Sequence, residues 1–264
     1  ISLLDTLYKI FSRLLFNRLI PLILPRIRKT QFANQKGRSA LDALFMIMHL
    51  IEMHHDIPVE TLELLFVDVK AAFPSVTHQA IRAALLRLGV HGAMLRCLLV
   101  LHSDLTFQVR GEKGQRSSTF QQHRGTRQGD PGAAFLFIIL FTVVVDDAEA
   151  TVRQGGEPLT GHVDKNTEHQ YMMQRSAIPN PYVEFADDVV GIGRIQQHEL
   201  FQLRALALLR EIRRAGAEEN RKKTACLALT GGVRFVAKGR QISKAKQTKM
   251  RKKEIKRIRL EAVM

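Results

Sequence analysis

The chain has 264 residues, of which 45% are hydrophobic, with a mean hydropathy of −0.08, enough for one sizeable core or two small ones in a globular, soluble protein. Its 40 Lys plus Arg stand against 25 Asp plus Glu, giving a net charge of +15 and a pI near 10.3, which excludes indifference to polyanions: nucleic acid is the leading partner and an anionic membrane surface the second. Two cysteines, Cys97 and Cys226, argue against a disulfide framework or a Cys-rich zinc site and fit a reducing, intracellular compartment, and the ten histidines show no ligand spacing.

From the amino end, Leu4, Leu7, Tyr8, Ile10, Phe11, Leu14, Leu15 and Leu19 recur at three- and four-residue steps, which predicts an amphipathic helix over Leu3 to Leu24 ended by Pro21 and Pro25. No secretory leader precedes it, and the opening at Ile1 reads as a piece of something larger. A basic connector, RIRKTQFANQKGRS, leads to a second helix from about Ala40 to His55. Leu62 to Val69 is a short, continuous apolar run suited to a central strand buried on both faces, ended by Pro74 and Ser75. Helical spacing returns over Gln79 to Leu88, before Gly89. Alternation around a Gly- and Lys-bearing turn predicts a hairpin over Thr106 to Phe120.

The apolar stretch Ala133 to Val145 falls short of the roughly 18 residues of a membrane span, so it predicts a buried core helix entered through a loop at Gln128 to Pro131. Glu149 to Pro181 is polar and aperiodic and reads as an insertion or mobile connection. Tyr182 to Ile192 predicts a strand, a tight turn and a second strand, and Gln197 to Ala215 a helix closed by Gly216. Cys226 to Leu229 and Val233 to Val236 flank Gly231-Gly232 as a last hairpin, and a Lys/Arg-rich tail of helical potential follows.

The chemistry concentrates in YVEFADDVVGIG, where Asp187 and Asp188 interrupt an apolar, β-branched run. Two adjacent carboxylates that lose hydration repel each other, and exposure, protonation of one, or a divalent cation resolves this. A solvated hairpin turn would explain the pair alone. The cation reading gains weight from Asp68, in the similar run LLFVDVKAAF: three such carboxylates can hold two metals.

The ordered set is more specific than any member of it. Asp-x-x-x-Ala-Phe at 68 to 73, Arg-Gly-Thr-Arg-Gln-Gly-Asp-Pro at 124 to 131, Phe-Ala-Asp-Asp at 185 to 188, and Gly216 followed by Asn220-x-x-Lys223-Thr224 resemble motifs A to D of reverse transcriptases, most closely those of non-long-terminal-repeat retrotransposons. ISLLDTLYKIFSRLLFNRL and QFANQKGRSALDAL resemble the family's segments before motif A, so the resemblance spans nearly the whole chain.

The resemblance implies an α+β right-hand polymerase core. Partial fingers and connecting helices would fill 1–60, the palm 61–236 with 149–181 as an insertion or mobile loop, and a basic tail or start of a thumb 237–264. It implies that Asp68, Asp187 and Asp188, with the Val69 carbonyl, bind two Mg²⁺ ions, or Mn²⁺ in their place. Phe73 matches the aromatic position under the sugar, whose bulk excludes a 2′-hydroxyl and so selects deoxynucleoside triphosphates. Gln128 and Gly129 match the loop lining the nucleotide and template pocket, Lys223 the lysine that neutralises or protonates the leaving pyrophosphate, and Arg38 a template or nucleotide contact. The segment at 231–240 looks like the hairpin that positions the primer.

The implied reaction is extension of a DNA primer on an RNA template, without membrane association, in the nucleus or cytoplasm. The alternative is a nucleic-acid-binding remnant of a mobile element without turnover. Phe73 argues against an RNA-dependent RNA polymerase. One departure stands inside motif B, where Gly132-Ala133-Ala134 replace the family's usual Leu-Ser-Pro; small residues there preserve the helix while altering the pocket.

Overall fold

A computed structural model of the chain describes residues 4–55, 61–102, 105–111, 114–127, 129–155, 181–194 and 197–230. In chain order the helices are α1 (Thr6–Ile23), α2 (Ala40–His55), α3 (Ala72–Ser75), α4 (His78–Arg87), α5 (Gly92–His102), α6 (Ala133–Gly155) and α7 (His198–Arg214). The strands are β1 (Thr61–Val67), β2 (Val69–Lys70), β3 (Leu105–Phe107), β4 (Phe120–Gln122), β5 (Tyr182–Phe185), β6 (Asp188–Arg194), β7 (Glu218–Glu219) and β8 (Ala225–Thr230).

The principal sheet is four-stranded and antiparallel in the order β5-β6-β1-β8, with β1 paired on both edges. That placement explains why β1 is apolar nearly throughout. Leu65 and Val67 face a large core built with α6 and α7, while Leu62 and Leu64 face a smaller one with Ala43 and Ile47 of α2. Period-two alternation thus feeds both faces of one strand. Two short pairs, β2 with β7 and β3 with β4, complete the ladders. This mixed architecture, an antiparallel sheet with helices packed on it, is the palm-like α+β fold the resemblance implies.

The central strand, the carboxylate-bearing hairpin, α2 and α7 lie close to the predicted bounds, while β3 and β4 pair at the open end of the predicted hairpin, from Phe107 opposite Phe120 outward to Leu105 opposite Gln122. Three boundaries move. Pro21 does not end α1, which runs through it to Ile23 before a 3-10 turn at Leu24–Arg26. A proline within the last turn displaces the hydrogen bond to residue i−4, here exposed Asn17, whose carbonyl can turn to water. The predicted insertion starting at Glu149 is helical as far as Gly155: Asp146 and Glu149 pair with Arg28, and Ala148 and Val152 are buried, so the polar residues form one face of a continuing helix. The strand predicted to run to Val69 breaks at Asp68, whose backbone leaves the main sheet for β2. The rest of the insertion, the arm Val233 to Val236, the segment 231–240 and the tail 237–264 lie outside the described residues.

The departure at Gly132 has a steric reason. A Cβ there would stand 1.8 Å from the Phe16 ring of α1, so the glycine is what lets α1 pack against the start of α6. Asp130, just before it, accepts hydrogen bonds from Tyr8 Oη (2.6 Å), Ser12 Oγ (2.5 Å) and the Gly132 amide (2.9 Å). The motif B aspartate therefore ties α1 to the α6 entry. Among the described residues no helix is long and apolar enough to cross a membrane.

Candidate active site

Asp68 occupies the break between β1 and β2, and its backbone is held on both sides by one turn. Its N–H donates to Thr224 Oγ1 at 3.3 Å and its carbonyl accepts from the Asn220 amide at 2.7 Å. The same turn is closed by Lys223 and Thr224 amides donating to the Asn220 carbonyl. Motif D thus supports motif A through backbone geometry, and it brings Lys223 Nζ to 3.6 Å from Asp68 Oδ1.

Asp187 and Asp188 form the tip of the β5-β6 hairpin. Phe185 pairs with Asp188, so Ala186 and Asp187 are the two turn residues, and Ala186 adopts a φ of +56°. The β1-β6 ladder ends with Val67 opposite Val189, so Asp68 and Asp188 are the residues that flank this last pair along the two chains. Because Val189 faces the α6 side, alternation along β6 sends Asp188 to the other face of the sheet, the face of Phe66, which is 37% exposed. Asp68, Asp187 and Asp188 therefore lie at the same end of the β1-β6 ladder.

Electrostatics report the same convergence. Burial pushes the Asp188 carboxyl above the ordinary aspartate range, Asp187 and Asp68 push it further, and Lys223 opposes them. Asp187 is also raised, first by burial and then by Asp68, against its own backbone hydrogen bond. Carboxylates that raise one another's affinity for protons attract a cation equally, and hard oxygen donors suit Mg²⁺ or Mn²⁺. Among the described residues no group of three or more His, Cys, Asp or Glu side chains is placed to hold a metal ion.

The neighbouring residues divide into two sets. Phe73, in α3, is half-buried and stacks on Phe137 of α6 with ring centroids 5.1 Å apart. The loop at the start of motif B is laced to it: Thr126 N donates to the Phe73 carbonyl at 2.8 Å and Gly125 N to the Val76 carbonyl at 2.7 Å. Gly125 has a φ of +81°, and a Cβ on it would meet Pro74 Cα at 2.4 Å, so only glycine allows motifs A and B this approach. Gly129 is exposed on the same loop with a φ of +116°. Gln128 lies outside the described residues. Val69 starts β2, opposite Glu219, with its side chain buried.

Arg38 lies just before α2 and turns its guanidinium onto the carbonyls of Lys29 and Gln31 (3.0 Å to the latter), over the Phe32 ring at 5.3 Å. The segment it braces runs beside β5: Glu184 N donates to the Thr30 carbonyl and Phe32 N to the Glu184 carbonyl, both at 2.9 Å. Arg28 at its start bonds Glu184 (2.8 Å), Asp146 (2.6 Å) and Glu149 (3.0 Å), joining β5 to α6. Sequence reasoning assigned no role to Arg28, Gln31, Asp130 or Asn220. Gln31 and Arg38 are both in the block QFANQKGRS, but Gln31 bonds Ala186, over a hundred residues away, and Arg38 the local backbone, which no periodicity displays.

A family model described as reverse transcriptase (RNA-dependent DNA polymerase) matches residues 1–256. The retrovirus-related Pol polyprotein from the type-1 retrotransposable element R2 of Popillia japonica is 29% identical over 125 residues, covering 46% of this chain and 18% of that protein. Among solved structures, apo telomerase from Candida tropicalis truncated from its C-terminal domain superposes with a TM-score of 0.53 at 15% identity, over 86% of this chain and 41% of that one. Telomerase from the same organism in complex with a TWJ fragment of telomeric RNA superposes with a TM-score of 0.51 at 12% identity, over 84% and 33%. At such identities the likeness establishes the fold. The chain spans under half the length of each of these relatives.

Proposed function

The chain belongs to the reverse transcriptase (RNA-dependent DNA polymerase) family, and on that premise we propose that it adds deoxynucleotides to a DNA primer 3′ end on an RNA template. The observation that carries the reading is that Asp68, Asp187 and Asp188 gather at one end of the β1-β6 ladder, where they raise one another's proton affinity, with Lys223 at 3.6 Å from Asp68. Family members use divalent ions, and we assign two Mg²⁺, replaceable by Mn²⁺, to Asp68, Asp187, Asp188 and the Val69 carbonyl. Ions bound there supply charge neutralisation at the transferring phosphate and a more acidic primer 3′-hydroxyl.

The protein's own residues do the rest. Lys223, on a turn rigidly bonded to Asp68, meets the negative charge that develops on the leaving pyrophosphate and supplies a proton to it. Phe73, backed by Phe137, is a fixed wall under the sugar, and a rigid ring discriminates against a 2′-hydroxyl better than a mobile one. Gly129 and Gln128 line the nucleotide and template pocket. Arg38 acts at the template side by bracing the segment beside β5. The net charge of +15 draws in the polyanionic template and primer.

The test is Mg²⁺-dependent extension of a DNA primer on an RNA template. Asp188→Asn is expected to lower extension by about a hundredfold or more, since metal-borne charge stabilisation contributes several kcal/mol and each 1.4 kcal/mol is about tenfold. Extension unchanged in the variant, or indifferent to Mg²⁺, would rule the proposal out.

A further inference from the structure

One buried side chain reaches the carboxylate turn from outside the motifs. Gln31 is 0% exposed, and its Oε1 accepts from the Ala186 amide at 2.9 Å and from the Ala33 amide at 3.0 Å, while its Nε2 donates to the Ala186 carbonyl at 3.4 Å. Ala186 is the first residue of the two-residue turn that presents Asp187, and its φ of +56° is a conformation an L side chain adopts at a cost. Something must hold it there. The β5-β6 ladder ends at Phe185 and Asp188, so the peptide of Ala186 lies beyond the last rung.

We propose that Gln31 is a positioning residue for polymerisation, whose amide grips both sides of the Ala186 residue and so fixes the turn that aims Asp187 and Asp188. The inference rests on the reading of those aspartates as the metal-holding carboxylates.

The support extends outward from Gln31. Its backbone bridges Glu184 in the parallel sense, and Thr30, Phe32 and Ala33 around it are 3%, 8% and 2% exposed. Arg38 holds the Lys29 and Gln31 carbonyls, and Arg28 fastens the start of the segment to Glu184, Asp146 and Glu149. The segment is thus a strap along β5, pinned to the body of the protein at one end and touching the turn at the other. An amide suits the task because it alone offers an acceptor and a donor on one planar group of this length. Glutamate would keep the acceptor, lose the donor and add a charge behind two carboxylates already short of compensation. Methionine matches the length and removes both bonds.

The experiment combines kinetics with amide exchange on the full chain. In the wild type, the Ala186 N–H should exchange slowly although it lies past the ladder, and in Gln31→Met it should exchange freely. The kcat of primer extension should fall by about 10- to 100-fold in Gln31→Met, as misplacement of catalytic groups by an ångström does, with KM for the nucleotide changed by less than about twofold. A purely structural role would instead lower Tm and leave the kcat of the folded fraction intact. Ala186→Gly placed in the Gln31→Met background should restore part of the lost rate, because glycine adopts positive φ without strain.

Fast exchange of the Ala186 amide in the wild type would overturn the proposal, and that measurement stands even if Gln31→Met fails to fold. An unchanged kcat in a folded Gln31→Met protein would overturn it as well. A wild-type chain without Mg²⁺-dependent extension is the distinct outcome that would remove the polymerase reading, and this assignment with it.

Discussion

Lys223 is 70% exposed and Asp68 30% exposed, and an ion pair so open to water is worth only about 0–1 kcal/mol to stability. Its position therefore has to be explained by what it faces. The turn from Asn220 to Thr224 uses four backbone or hydroxyl bonds to place that lysine beside the carboxylates, more constraint than a solvated surface residue needs. Lys223→Ala is expected to leave Tm within a few degrees of the wild type while kcat falls by about a hundredfold, the usual contribution of a positioned proton donor. Loss of stability without loss of turnover would contradict this role. At the same scale, the identity of the acids was legible from sequence because two aspartates inside an apolar run are anomalous wherever they lie. Gln31 and Asp130 were not, because a buried amide or carboxylate with partners on distant elements has no local signature. Asp130 stands inside a quoted motif, yet its bonds to Tyr8 and Ser12 exist only once α1 has packed on α6.

Among the elements, the strap at Arg28 to Ala33 joins β5 to α6, and its charge cluster makes it sensitive to pH. Burial pushes the Glu184 carboxyl up to about 7 against the opposing pull of Arg28, from an ordinary value of 4.5. Its folded-state value is thus above the unfolded one, so between roughly pH 4.5 and 7 the native state binds the proton more tightly, and this group's contribution to stability falls as pH rises through that window. His102, lowered to about 4 by burial, acts in the opposite sense: it contributes rising stability between about 4 and 6.5, as its unfolded form loses its proton. Glu184→Gln removes only the first effect. The variant's Tm, measured from pH 5 to 8, should therefore gain on the wild type's as pH increases, and a constant difference across that range would contradict the assignment. The strap was hidden in the sequence, where it reads as a basic connector. β1, β5, β6 and α7 were legible because their apolar periods are set by burial on one or both faces. α6 was legible only to Val145: beyond it the acidic residues that serve Arg28 and Arg87 resemble the polar start of an insertion.

For the molecule as a whole, the sheet collects motifs A, C and D at one edge, and α3 with the loop before α6 brings motif B alongside Phe73. A surplus of 15 positive charges over 264 residues supplies a sequence-independent attraction for a polyanion, and the proposed function makes that polyanion nucleic acid. Binding of an RNA–DNA primer–template should consequently weaken steeply with salt. With about 6–10 phosphate contacts, affinity is expected to drop by about 10³- to 10⁵-fold between about 50 and 200 mM salt. A flat response in a filter-binding or anisotropy titration would contradict the electrostatic reading.

The most direct measurement is Mn²⁺ binding followed by electron paramagnetic resonance, in the presence of primer–template and an incoming nucleotide, for the wild type, Asp68→Asn and Asp188→Asn. If the acid that follows β1 and those of the β5-β6 hairpin share the ions, either substitution alone should weaken Mn²⁺ binding at the site, by about tenfold or more for loss of a charged ligand. Binding that is weakened by Asp188→Asn and left untouched by Asp68→Asn would show that the two strands do not act on the same cations.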